Sequence, residues 1–409
     1  MRIGTNDRPA WVTGLNAVGD PSWIHLDERA LVAEACVRTG LDDFGGETFR
    51  EPLRVLLDSI ESERSLHFIG RVLARDDILN LLENRLRVTD ARRRHPEIDG
   101  VEIHRPVFVT GLPRTGTSIL HELLACDPTN RVPLAWEVRH PCPPPQAATY
   151  DGDARIERAE QEIQLWNEIV PEYRTIHELG ARLPVECILL TAHEFRSDQL
   201  AATNHALAYG AWLATADMQP AYRWHRRMLQ LLGWRVPRDR WVLKAPSHMA
   251  SLDALLAVYP DACIVQTHRD PLRVMGSVLS TLYATASIRC DRIDVDSLRG
   301  WFSGESCAAL LDAAIRVRTS GAAKDARFVD VAYADLLRDP LATIGALYRQ
   351  LDIALTPGAR ARMHDYLAGK PKDKHGAHVY AIAETGIDRA AERARFAQYQ
   401  RTYAVPSED

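Results

Sequence analysis

Eight residues, Gly111-Leu112-Pro113-Arg114-Thr115-Gly116-Thr117-Ser118, carry two glycines, an arginine and three hydroxyls. Residues of these types at this density suit the capture of an anion. The glycines let backbone N–H groups converge on one point, and Arg114 adds a permanent positive charge. A helix that opens at the end of such a loop adds unpaired first-turn N–H groups and the positive end of its dipole. A sharp turn that binds nothing needs neither the arginine nor three hydroxyls. The spacing Gly111-x4-Gly116 begins like a nucleoside-triphosphate loop, but that motif demands Lys where this chain has Thr117. A triphosphate enzyme also needs Mg²⁺ held by Ser/Thr and a strand-end Asp, and only Asp330 is plausibly placed for that. The loop therefore fits an anion with less charge to neutralise and no obligatory metal.

The elements that must position this loop can be read on both sides of it. Val107 to Thr110 is a short β-branched and aromatic run, a buried strand, and Thr117 to Leu124 has helical spacing. The same alternation returns later. Arg240–Lys244 reads as a strand, turning at Ala245-Pro246-Ser247-His248 into a helix from Met249 to Val258. Residues 262–267 are a strand that turns through His268-Arg269 into a helix capped by Asp270 with Pro271 at its first position. Helical pattern continues over about 273–320, residues 326–331 are a strand, and 335–351 are mostly helix. Strands alternating with helices imply an α/β fold, a P-loop-like central parallel sheet with helices on both faces. Ligands of such sheets sit beyond the carboxyl ends of the strands. The residues found there are Gly111–Ser118, Lys244–His248, His268–Arg269 and Tyr333, a basic, polar and aromatic set.

Elsewhere the chain reads as support. Helical patterns at 29–35 (stopping near Gly40), 49–60, 61–73 and 76–88 form an N-terminal extension, 1–100, ahead of an α/β domain, 101–409. A substrate lid and a dimer surface are open readings for the extension, with packing scaffold the default. Prolines 141 and 143–145 make a stiff extended linker into a helical insertion at about 153–232, taken as the acceptor side. Its Trp166, His177, Glu178, Glu186 and His193 are interleaved with aliphatics, and none is singled out. The 409 residues are 46% hydrophobic, enough for a large core, and the net charge of −5 gives no sign of a nucleic-acid partner. The seven cysteines are scattered without C-x-x-C spacing, which argues against zinc and redox motifs. With no leader-like start at Met1–Thr5, the expectation is the cytoplasm and free thiols. No apolar run approaches the ~18 residues of a membrane span.

On these residues the chain resembles the sulfotransferases that use 3′-phosphoadenosine 5′-phosphosulfate (PAPS), and in particular the actinobacterial branch with a Gly-x-Pro-Arg-x-Gly-Thr-[ST] loop and a helical N-terminal extension. The resemblance covers nearly the whole chain and is strongest at 106–145, 240–280, 328–341 and 370–388. It implies sulfuryl transfer from PAPS to a hydroxyl of a small-molecule acceptor, without a metal, in a protein that could be a homo-oligomer. Pro113, Arg114, Thr115, Gly116, Thr117 and Ser118 resemble the family's 5′-phosphosulfate loop, with Arg114 where cytosolic animal members have Lys. Arg269 and Ser277 match the 3′-phosphate pair, and Tyr333 the tyrosine that contacts adenine. Lys372 to Tyr380, with Lys374, His375 and Gly376, resembles the basic loop that closes on the nucleotide. Animal members place a Trp three residues after the loop's glycine; this chain has Ile119, so either Ile119 or another aromatic covers the base. Arg114 and Lys244 would stabilise charge passing to the leaving phosphate. His248 is the preferred general base, although the animal spacing from Lys is two residues rather than four. Glu137 is its rival, and a structural role for either is the third reading. A P-loop kinase or NTPase and a non-catalytic nucleotide-binding protein of the same fold are the competing classes.

Overall fold

The computed structural model describes residues 8–176, 178–370 and 389–408. Five parallel strands form one sheet in the order β2-β3-β1-β4-β5, with β1 Val107–Gly111, β2 Asn130–Arg131, β3 Arg240–Lys244, β4 Cys263–His268 and β5 Arg327–Ala332. Parallel strands need crossovers, and helices in those crossovers bury both sheet faces. The period-2 alternation of side chains divides the strands between two cores. Phe108, Leu243 and Ile264 enter one; Val107, Val109, Val242 and Val265 enter the other. This explains why the strands read as continuous apolar runs. β2 has two residues and no such run, and the sequence reading did not contain it.

β1 is flanked by β3 on one side and β4 on the other, with Val109 opposite both Lys244 and Val265. The chain leaves β1 toward one edge and later crosses to the other, so the crevice at the carboxyl end of β1 is a topological switch point. The helix Thr117–Ala125 follows β1 directly, packing Leu120, Leu123 and Leu124 beneath the sheet.

After a first helix, Ala10–Val18, the N-terminal helices are Glu28–Thr39, Arg50–Glu63 and Phe68–Arg94. Glu28–Thr39 ends at Gly40, in the left-handed conformation expected of a helix stop. The segments read as 61–73 and 76–88 form a single helix from Phe68. The break lies earlier, where Arg64 is left-handed at φ 48° and His67 caps the Gly70 N–H at 2.8 Å. These helices share a core with the insertion: Leu53, Leu56 and Leu82 pack with Phe195, Leu200 and Tyr209. Two further boundaries differ from the sequence pattern. The turn after β3 runs as a 3-10 helix, Pro246–Ser251, so the following helix starts at Leu252. Residues 273–320 divide into Pro271–Ser287, Val295–Trp301 and Gly304–Arg318, where Asp294 and Ser303 supply new caps. Among the described residues no helix is long and apolar enough to cross a membrane, and all seven cysteines are free thiols.

Candidate active site

β1 ends at Gly111 with φ 142°, and a Cβ there would lie 2.3 Å from Thr267 Oγ1 and 2.6 Å from the Thr267 carbonyl oxygen. The loop then turns through Arg114 at φ 66° and Gly116 at φ 89°. Thr115 is buried, its hydroxyl 2.6 Å from the Leu112 carbonyl oxygen and 2.6 Å from Thr267 Oγ1. That hydroxyl is committed to holding the turn against β4, which leaves the backbone N–H of Thr115 as what it can offer an anion. Gly116 begins the helix Thr117–Ala125 without a side-chain cap, so the first-turn N–H groups are left for another acceptor. Arg114 stands exposed, its guanidinium without a hydrogen-bond partner among the described residues.

A second cationic element lies at the end of β4. Arg269 donates from Nη1 to the Arg114 carbonyl oxygen at 3.1 Å, and its guanidinium lies 4.2 Å over the Tyr333 ring. Tyr333 is also the wall of the anion loop, because a Cβ on Gly116 would come within 3.0 Å of its ring. Loop, Arg269 and Tyr333 thus form one rim. The helix after Arg269 starts as the sequence predicts, with Asp270 capping the Leu272 N–H at 3.1 Å and Pro271 in its first turn. Ser277 lies two turns further on, buried, its hydroxyl without a hydrogen-bond partner. A buried orphan hydroxyl is costly unless something completes it. Ile119 packs against the core under the sheet.

Comparison with known proteins agrees with this geometry. Residues 106–357 match the model of the sulfotransferase family. The chain belongs to the sulfotransferase family. Its structure aligns with the crystal structure of sulfotransferase STF9 from Mycobacterium avium at a TM-score of 0.84, 29% identity, and 94% and 98% coverage of the two chains. For sulfotransferase STF1 from Mycobacterium tuberculosis H37Rv the TM-score is 0.78, with 34% identity over 91% and 98%. In sequence it is 24% identical over 298 residues to the omega-hydroxy-beta-dihydromenaquinone-9 sulfotransferase Stf3 of Mycobacterium bovis, covering 69% of this chain and 71% of that one. The chain is accordingly an enzyme of sulfuryl transfer, and the kinase reading is not favoured.

In this sulfotransferase Lys244, the last residue of β3, is buried and joins three elements. Its Nζ lies 3.2 Å from Ser118 Oγ in the helix that follows the loop and 2.5 Å from Glu186 Oε1. Glu186 precedes the short helix Cys187–Thr191 of the insertion and is partly exposed. Nearby Asp198, at the start of the helix Asp198–Asn204, has its carboxyl raised to about 6, chiefly by burial and secondarily by the Glu186 charge. The sequence reading passed over Glu186 because no motif surrounds it. The available signal was a carboxylate in Pro184-Val185-Glu186, within the insertion read from the sequence as the acceptor side.

The two bases suggested by the sequence sit differently. His248 is buried, with Nδ1 at 2.8 Å from the Tyr222 hydroxyl and its ring against the edge of Phe108. It belongs to an aromatic network that also pairs His225 Nδ1 with the Tyr259 hydroxyl at 2.8 Å. Burial, helped by the charge of Lys244 and by His225, holds the His248 imidazole well below its ordinary pKa. Glu137 is completely buried and saturated. It takes two hydrogen bonds from Arg131 at 2.8 and 2.5 Å, one from its own helix start at the Leu134 N–H, 2.9 Å, and one from Tyr150 at 3.2 Å. Glu137 is committed to interior partners, whereas His248 pairs through Nδ1 alone and its Nε2 is buried without a hydrogen-bond partner. Lys372, Lys374, His375, Gly376 and His177 lie outside the described residues. Among the described residues no cluster of three or more His, Cys, Asp or Glu could hold a metal.

Proposed function

We propose that the enzyme transfers the sulfuryl group of PAPS to a hydroxyl of a small-molecule acceptor, with Glu186 as the proton acceptor. The observation that carries the donor assignment is the bond from Arg269 to the Arg114 carbonyl oxygen, with Tyr333 beneath the guanidinium. It supports reading the loop and Arg269 as two anion-binding elements on one rim with an aromatic ring beside them, which suits an adenine nucleotide charged at both its 5′ and 3′ positions. The loop N–H groups, Thr117 and Ser118 would hold the 5′-phosphosulfate, and Arg269 with the orphan hydroxyl of Ser277 the 3′-phosphate.

The acceptor oxygen attacks sulfur in line as the bond from sulfur to the bridging phosphate oxygen breaks. The electron pair stays on the departing 5′-phosphate, where Arg114 and Lys244 stabilise the charge. Glu186 takes the acceptor's proton. Its pairing with Lys244 keeps the carboxylate beside the end of the loop, and Lys244 is free to turn its charge toward the leaving phosphate as Glu186 is neutralised. His248 and Glu137 are assigned to holding β3 and the chain after β2 in place. The Stf3 relative acts on an omega-hydroxyl of a dihydromenaquinone, which supports an alcohol as the acceptor group here.

Titration calorimetry tests the donor. Adenosine 3′,5′-bisphosphate should bind well above both AMP and ATP·Mg²⁺, and equal affinity for AMP would overturn the assignment. Labelled PAPS offered with phenols, sterols, sugars and lipid alcohols would then identify the acceptor.

A further inference from the structure

The last residues of the chain reach the nucleotide rim. The helix Arg389–Thr402 inserts Phe396 and Tyr399 into the main core. The Tyr399 hydroxyl lies 2.9 Å from His268 Nδ1, and His268 Nε2 is 2.8 Å from Asp330 Oδ1. Arg318 grips the same aspartate at 2.7 and 2.9 Å. The chain turns at Ala404, φ 51°, and Val405 is buried, with its N–H on the Gln400 carbonyl oxygen at 2.9 Å. Glu408 follows. Its N–H donates to Asp270 Oδ2 at 2.8 Å, beside Arg393 on the same oxygen at 2.7 Å. Its carboxylate accepts from Arg269 Nε at 3.0 and 3.2 Å and from Nη2 at 3.0 Å.

This is a side-on fork on the arginine read here as the 3′-phosphate ligand. A phosphate that joined it would lie against the Glu408 carboxylate, and like charges that close repel strongly. We propose that Glu408 is an intramolecular exchange anion: it holds Arg269 in the empty enzyme, yields the fork to a 3′-phosphate, and returns as the spent nucleotide leaves. A phosphate dianion carries more charge than the carboxylate it replaces, so the donor can win the exchange. A tethered side chain has an effective concentration of order millimolar, so it competes for the fork continually and speeds release of adenosine 3′,5′-bisphosphate. Nucleotides without a 3′-phosphate do not enter this competition.

The inference rests on the PAPS reading of the site, and one experiment separates the two. The Glu408→Gln variant of the full chain keeps the shape of a side chain that is 33% exposed. Adenosine 3′,5′-bisphosphate and AMP are titrated into it and into the wild type, with release rates from stopped flow and thermal unfolding as a control. Exchange predicts that the variant binds the bisphosphate about tenfold more tightly and releases it more slowly, with AMP affinity within twofold. Unchanged or weakened bisphosphate binding overturns the exchange role, and weakened binding together with a lowered Tm identifies Glu408 as a structural clamp. If the wild type binds AMP and the bisphosphate equally, the assignment of Arg269 fails, and the exchange role fails with it.

Discussion

Lys244 bonds Glu186 at 2.5 Å and Ser118 at 3.2 Å, so one buried ammonium links the helical insertion to the helix that follows the glycine loop. On the proposed mechanism, such a link lets proton removal and charge stabilisation act at one place. A general base contributes typically 10²–10⁴-fold to rate, so Glu186→Gln should lower kcat by about that range. Affinity for adenosine 3′,5′-bisphosphate should stay within a few-fold, because the amide touches the acceptor and not the nucleotide. Tyr222→Phe and His248→Gln should alter stability and leave the pH–rate profile in place. A Glu186→Gln enzyme with near-normal turnover, beside a dead His248→Gln that still folds, would return the base to His248.

Glu137 and Arg131 test the structural role from the other side. Their side chains are 0% and 5% exposed, and removing one partner leaves the other as an uncompensated buried charge. Glu137→Gln should therefore destabilise the fold by about 3–5 kcal/mol, read as a lower midpoint in urea unfolding. Any folded fraction should keep its bisphosphate affinity. A stable Glu137→Gln protein that has lost turnover would contradict this assignment and favour catalysis by Glu137.

The parts of the site legible in the sequence are those whose chemistry is local. A glycine-bounded loop between an apolar strand and a helix declares itself within fifteen residues, and so does Asp270-Pro271 at a helix start. Glu186 was hidden because its partner Lys244 is 58 residues away in the chain, and only the fold brings the insertion back to it. The surroundings of His248 were hidden for the complementary reason. A histidine near a strand-end lysine shows in the sequence, but its packing against Tyr222 and Phe108 does not. The single helix Phe68–Arg94 read as two because charged side chains such as Arg75 and Asp76 interrupted its apolar pattern, and tertiary pairs such as Arg75 with Glu34 satisfy them.

Buried histidines make the fold acid-sensitive, among them His248 and the partly buried His205, both lowered by burial. Burial lowers His67, His121 and His225 to about 3 and His193 to about 4. In the unfolded chain each titrates near 6.5, so below that pH the unfolded state binds protons the folded state refuses. Their contribution is complete above about pH 6.5 and is lost progressively as pH falls toward the folded values. Each should cost roughly 1.4 kcal/mol per pH unit once well below 6.5. Urea midpoints measured from pH 7.5 to 5 should be level at first and then fall steeply. A flat stability across that interval would mean these imidazoles are not held neutral.

Gly116 connects the loop's backbone to the nucleotide rim. At φ 89° an alanine is strained, and its Cβ would lie 2.9 Å from Leu336 Cδ2 and 3.0 Å from Tyr333 Cδ2. Leu336 is buried in the core and has little room to yield. Relief must come from shifting the loop or from moving the Tyr333 ring, on whose face Arg269 rests. Either movement disturbs an anion-binding element. Gly116→Ala should therefore weaken adenosine 3′,5′-bisphosphate binding by at least about tenfold, the equivalent of roughly 1.4 kcal/mol. The fold itself should lose about 1–2 kcal/mol from the left-handed strain. Calorimetry on the folded variant separates the two effects. Wild-type affinity in a merely less stable protein would show that the Tyr333 wall yields freely, and that the rim does not depend on the loop's backbone at this position.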